Sequence, residues 1–225
     1  MSQENGQNND FMRTSMKTMP TPKKRGRPRL FDESQVLAAV MDRFWTRGYS
    51  ATSLDDLAEA AGINRPSLYA TFGDKQTMYL RAVAYFEAAM EAQLRLSLDQ
   101  DRPLIEGLVE FYQSSIDFYL SGEGPPRGCL VICTAATEAP EEPAIRQALA
   151  RVLAKMDHAF EARIARAVER GELPRAADPR VLGQLAAAVM HSLAVRARAG
   201  SRREPLLTFS RTAAVHILGP RSARA

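Results

Sequence analysis

Apolar and polar positions along the chain alternate with helical periodicity, and no period-2 run of strand type interrupts it. From Asp32 to Arg47 the apolar residues Val36, Leu37, Val40, Met41, Phe44 and Trp45 recur at i, i+4 spacing, the stripe of an amphipathic helix. Asp32 stands at its N-cap with Gln35 as a capping-box partner, and Gly48 ends it. Ser53 caps a second, shorter helix with Asp56 at its third position, and Leu54, Leu57, Ala58 and Ala61 form its inner face. Gly62 supplies a left-handed turn, Ile63 plugs the core beneath it, and Asn64 caps a third helix with Pro66 in the first turn. Leu68 and Phe72 face the first helix, so Arg65, Ser67 and Tyr69, with Ala70 and Thr71, point outward.

Caps and breakers place the remaining helices. Asp74 opens a fourth that runs to about Leu98, and Asp101 with Pro103 opens a fifth that ends at Leu120, before the break at Gly122–Pro126. A sixth spans Gly128 to about Glu138, and a long seventh follows Pro143 to near Gly171. Asp178-Pro179 starts an eighth that ends at Ala199, and a Ser201–Glu204 capping box starts a ninth that reaches Leu218. The expected fold class is all-α, about nine helices.

The stretch Ser53–Lys75 is a helix, a tight turn and a second helix with a polar and aromatic outer face, a shape that fits a DNA major groove. Lys75 opposes the macrodipole in the first turn of its helix at a cost of a few tenths of a kcal/mol. A docked phosphate would offset that cost; an ordinary solvated lysine is the alternative.

Composition narrows the partners. Of the 225 residues 45% are hydrophobic and 7% aromatic, the balance of an ordinary globule. No apolar run approaches the roughly 18 residues of a membrane span, and the N-terminus lacks the apolar core of a secretory signal. Cys129 and Cys133 suggest no disulfide framework, so a reducing cytoplasm, with nucleoid association, is expected and no membrane partner. The net charge is +4, and residues 1–29 carry seven basic against two acidic side chains, so the whole positive excess lies there. A basic arm on a near-neutral body points to a polyanion. Residues 1–20 read as disordered. After them Arg25-Gly26-Arg27-Pro28 is similar to an AT-hook, with Arg25 and Arg27 suited to a narrow A·T minor groove; a solubilising or localisation tail is the alternative. His158, His191 and His216 are scattered on different helices, and no G-x-S-x-G, H-E-x-x-H, P-loop or G-x-G-x-x-G stretch occurs. Neither catalysis, a metal nor a cofactor is expected.

Residues 30–80, above all G-Y-S-A-T-S-L-D-D-L-A-E-A-A-G-I-N-R-P-S-L-Y-A-T-F-G-D-K, closely resemble the N-terminal DNA-binding domain of TetR/AcrR-family transcriptional regulators. The resemblance implies a three-helix helix-turn-helix domain over residues 30–80, preceded by the arm at 1–29 and followed by an effector-binding and dimerisation domain at 81–225. It implies that Tyr69 and Lys75 contact phosphates, that Arg65, Pro66 and Ser67 read bases, and that Thr52 contacts the DNA backbone. Pro66 departs from the small residue usual in the family, which puts the identity of the bases read there in doubt.

The fifth helix is apolar nearly all round. Phe111, Tyr112 and Tyr119 from it, with Phe86, Met90, Cys129, Met156, Phe160 and Met190, are the candidate lining of an effector cavity. A fully packed core is the reading of the residues alone; the resemblance favours the cavity, for an unknown small molecule. Val181, Leu182, Leu185, Ala186, Val189, Met190, Leu193 and Ala194 form a stripe matched by Leu206, Leu207, Ala213, Ala214, Ile217 and Leu218. These two last helices suit a homodimer interface built as a four-helix bundle, or internal packing. A dimer predicts a pseudo-palindromic double-stranded DNA operator. Cys129, beside Arg127 at the start of the sixth helix, is either a sensor thiolate or a small buried hydrophobe. The function expected is a homodimeric repressor released by a small-molecule or thiol-reactive effector; an architectural DNA binder without effector control is the alternative.

Overall fold

The computed structural model describes residues 31–98, 102–122 and 124–219. The arm carrying Arg25 and Arg27, and Asp101, lie outside them. The helices are α1 (Glu33–Arg47), α2 (Leu54–Ala61), α3 (Arg65–Phe72), α4 (Lys75–Leu98), α5 (Leu104–Tyr119), α6 (Ala136–Glu138), α7 (Pro143–Glu169), α8 (Pro179–Arg198) and α9 (Arg203–Leu218). A π-helical turn, Val131–Ala135, runs directly into α6. Among the described residues there is no strand, and no helix is long and apolar enough to cross a membrane.

The N-terminal trio follows its local signals. Asp32 caps α1, but its carboxylate accepts from the amide and hydroxyl of Ser34, and Gln35 does not complete a capping box. Those two bonds hold the Asp32 carboxyl below its ordinary range. Ser53 and Asp56 form the full reciprocal box at the start of α2. Gly62 sits at φ 64° and ψ 24°, and a Cβ there would meet nothing within 4 Å, so glycine is required by conformation and not by space. Leu57, Leu68 and Phe72 are buried in the same core as Val36, Val40, Met41, Phe44 and Trp45 of α1.

α4 is continuous from the edge of this trio into the larger helical body. The body packs α5 against α9, α4 and α8, and its most extensive helix pair is α7 with α8. At Gly183 the two helices approach so closely that a Cβ would stand 2.8 Å from the backbone nitrogen of Glu161.

Two expectations are corrected, and a third is refined. The sixth helix does not begin at Gly128. That residue takes φ +66°, with the Ala194 carbonyl where a Cβ would stand (2.4 Å), so the chain enters the helix only afterwards and then as a π turn. The Thr134 hydroxyl occupies the Leu130 carbonyl at 2.6 Å and also meets the Tyr79 hydroxyl, a side-chain insertion of the kind that widens a helix. The Ser201–Glu204 box is not formed: α9 starts at Arg203 with Arg202 as an N-cap lacking a side-chain bond, and Glu204 pairs with Arg203. Finally, the apolar stripe of α8 is divided. Ala186, Met190, Leu193 and Ala194 are buried within the chain, whereas Val181 and Leu185 are 50% and 47% exposed.

Candidate nucleic-acid interface and ligand cavity

α3 is a short helix set by local caps. The Asn64 side chain accepts from the Ser67 amide at 2.9 Å, and Pro66 fills a first-turn position whose N–H would have no helical partner. Leu68 and Phe72 anchor the inner face, and Arg65, Pro66, Tyr69 and Ala70 are exposed. Ser67 and Thr71 are half-buried, and the Thr71 hydroxyl donates back to the Ser67 carbonyl at 2.8 Å, which draws Thr71 out of the reading set. Arg65 pairs with Asp55 of α2, both on the surface. An exposed pair of this sort is weak and releases its guanidinium readily to a base or phosphate.

Lys75 is anchored differently. Its ammonium lies 4.5 Å from the centre of the Tyr49 ring and 3.5 Å from the Ser50 carbonyl. A ring and a carbonyl hold it without neutralising it, so its charge remains available to an anion. The Asp74 side chain accepts from the Thr77 amide at 2.7 Å and fixes the turn that presents it. Thr52 is a correction: it is fully buried, and its hydroxyl donates to the Gly48 carbonyl at 2.6 Å. Its side chain therefore braces the α1–α2 turn and does not reach outward.

The trio is tied to the helical body through one seam that the sequence did not reveal. The Trp45 indole donates to the Gly128 carbonyl at 3.1 Å, and the Arg127 guanidinium lies 4.4 Å from that ring while pairing with Asp42. Arg198 donates to the carbonyls of Trp45 and Arg127, both at 3.1 Å. Further along, Glu138 accepts from the amide and hydroxyl of Ser50, and Glu142 accepts from Gln76 at 2.8 Å.

Behind this seam lies a cavity of about 520 Å³ between α4, α7 and α8, with Cys129 also on its wall. Of the expected lining residues it includes Phe86, Met90, Cys129, Met156 and Met190. Phe111, Tyr112, Tyr119 and Phe160 do not line it; they are packed core. Phe111 and Phe160 meet edge to face at 5.5 Å, and the Tyr112 hydroxyl is spent on the Ala186 carbonyl at 2.8 Å. Lining that pattern reading missed includes Leu94, Val152 and His191, with an ionic group of Glu87, Glu91, Arg151 and Lys155. Charged residues inside an amphipathic pattern look like solvent-facing positions, so only the α4–α7 contact identifies them.

Of the two readings of Cys129, burial favours the small buried hydrophobe over the sensor thiolate. The side chain is buried, and burial pushes its thiol up to about 12, against a smaller lowering by neighbouring backbone amides. Cys133 is likewise raised by burial. Burial at the seam outweighs the cation and helix start that were expected to favour a thiolate. Among the described residues no cluster of His, Cys, Asp and Glu is placed to hold a metal.

Comparison with known proteins agrees with this geometry. Residues 36–82 match the bacterial regulatory proteins of the tetR family, and residues 105–213 match the tetracyclin repressor-like C-terminal domain. The HTH-type transcriptional repressor ComR of Escherichia coli K12 is 30% identical over 199 residues, which is 87% of this chain and 93% of that one. The repressor BdcR of the same organism is 36% identical over 107 residues, 48% of this chain and 54% of that one. A cysteine mutant of the regulator CifR, solved with 26-bp operator DNA, superposes with a TM-score of 0.78 at 36% identity, covering 84% of this chain and 98% of that one. The chain therefore belongs to the TetR family of DNA-binding transcriptional regulators.

Proposed function

We propose that the chain is a homodimeric repressor that reads a pseudo-palindromic operator and is released from it by a small molecule entering the α4–α7–α8 cavity. In this reading residues 30–80 form the reading head and 81–225 the effector-binding and dimerisation domain. Arg65, Pro66 and Ser67 meet bases, Tyr69 and Lys75 meet phosphates, and Arg25 and Arg27 enter the flanking minor groove. Val181 and Leu185 of α8 belong to the face shared with a second copy, which sets two reading heads on one duplex. Repression is the activity named for ComR and BdcR.

The observation that carries effector control is the shared wall between cavity and head. Phe86 lines the cavity and packs edge to face on Trp45 of α1 at 5.1 Å, and Cys129 lines it next to the Gly128 carbonyl that holds the same indole. A ligand that reshapes this wall must move α1, and a coupling of ~1–3 kcal/mol between the two sites would suffice. Footprinting on DNA flanking the protein's own gene tests the reading. A protected palindrome is expected; uniform protection without sequence preference would identify an architectural binder instead.

A further inference from the structure

We infer that the effector is an apolar cation, an organic ammonium or comparable onium, whose charge takes the place of Lys155 and Arg151 on Glu87. This rests on the cavity being the effector site. The ionic group is unequally buried. The Glu87 side chain is 9% exposed, while those of Arg151 and Lys155 are 49% and 51% exposed. Glu87 Oε1 lies 2.6 Å from Lys155 Nζ without a well-aligned hydrogen bond, and Oε2 lies 3.3 Å from Arg151.

The two sides of these pairs are therefore unequally replaceable. Lys155 and Arg151 are long, flexible side chains already half in water, and swinging out costs them little. Glu87 has no such exit, and a buried carboxylate stripped of its cations is strongly disfavoured. An anionic ligand that drew Lys155 or Arg151 to itself would leave Glu87 with one of its two cations gone. A cationic ligand substitutes for them and leaves Glu87 paired. The other walls suit the apolar part of the same guest: Met90, Met156 and Met190 offer adaptable, polarizable thioethers, and Phe86 adds apolar surface. Burial lowers the pKa of His191 and so disfavours its charged form, and Arg95, the remaining arginine of the lining, is paired with Glu91 at 3.4 Å. Displacement of Lys155 would also release Glu91, which it bridges at 2.7 Å, and so loosen α7 from α4, the helix that continues into the reading head.

The test is calorimetric titration of the full chain with phenyltrimethylammonium, its neutral isostere tert-butylbenzene, and the anion phenylacetate. The cation is expected to bind at least tenfold more tightly than either, and Glu87→Gln should abolish that preference. Lys155→Met, which removes the competitor, should tighten cation binding several-fold; a merely structural lysine would give the opposite sign, so this variant carries the test even where Glu87→Gln does not fold. Equal binding of the three probes, no binding of the cation, or weaker cation binding in Lys155→Met overturns the inference. Ala159→Trp, which fills the cavity, separates the two readings. If it blocks a probe that shows no charge preference, the cavity stands and the cationic effector falls. If it blocks none of the binding, both fall.

Discussion

Replacing Arg198 by Met tests whether the seam between reading head and body bears load. The guanidinium donates to the Trp45 and Arg127 carbonyls at 3.1 Å each, with Thr46 at the edge of reach at 3.5 Å. Methionine keeps most of the aliphatic stem and removes the donors. A hydrogen bond involving a charged partner is worth about 1.5–3 kcal/mol, and the site is only partly buried, so the lower end applies to each of the two good bonds. The sum is about 3 kcal/mol. For a chain of this size each kcal/mol moves Tm by about 2–4 °C, so a loss of roughly 6–12 °C is expected by calorimetry or circular dichroism. Arg198→Lys keeps the charge but can reach only one carbonyl well, and should recover about half. Trp45→Phe removes the neighbouring donor to Gly128, and because both bonds converge on residues 127–128 the double variant should fall short of additivity by at least ~0.5 kcal/mol. A Tm for Arg198→Met within about 2 °C of the parent, or strict additivity with Trp45→Phe, would refute the view that these bonds act together.

Other outcomes follow from the geometry. Lys75→Ala should weaken binding to all DNA sequences and lower the slope of log K against log salt by about 1, while Arg65→Ala should relax specificity at one base pair per half-site by about 1–3 kcal/mol; both are read by titrating matched and mismatched duplexes at several salt concentrations. Because folding raises the Cys129 thiol from 9.0 to about 12, native alkylation should be far slower than in denaturant at pH 8. The folded state binds the extra proton between those two values, so this contribution to stability is complete below about pH 9 and is lost as pH rises toward 12, which urea melts across that range would show. Gly183→Ala should destabilise the fold by about 1–3 kcal/mol, since its Cβ would press on the Glu161 backbone; a Tm unchanged or raised would contradict the closeness of that crossing.

Legibility from sequence followed the range of the interactions. Ser53 with Asp56, Gly62 and Asn64 act within four residues of themselves, and each does what its local signal says. Even so, local grammar misled at Ser201 and Glu204, where an equally good motif is passed over and Glu204 pairs with Arg203 instead. The cavity was half legible. Periodicity gives Met90, Phe111, Met156 and Phe160 the same inward status, and only the mutual placement of α4, α5 and α7 decides that Met90 and Met156 face a space while Phe111 and Phe160 fill one. Glu87 and Lys155 stand 68 positions apart, on faces that look solvated when each helix is taken alone. The seam was illegible for the same reason: Arg198 is a basic residue at a helix end, an ordinary thing, until its donors are seen on carbonyls 153 and 71 positions away.

Trp45 is the sole tryptophan of the chain. It is 2% exposed, hydrogen-bonded through its indole, and packed on Phe86, Phe118 and Arg127. All of the chain's near-ultraviolet indole emission therefore originates at the contact between the helical body, proposed to hold the effector, and the helix-turn-helix trio. A blue-shifted native spectrum is the expectation for so dry a ring, and any event that parts the head from the body should redden it as water reaches the indole. Occupancy of the cavity, docking on an operator and separation of the two halves can thus each be followed as a change of colour in the unlabelled protein.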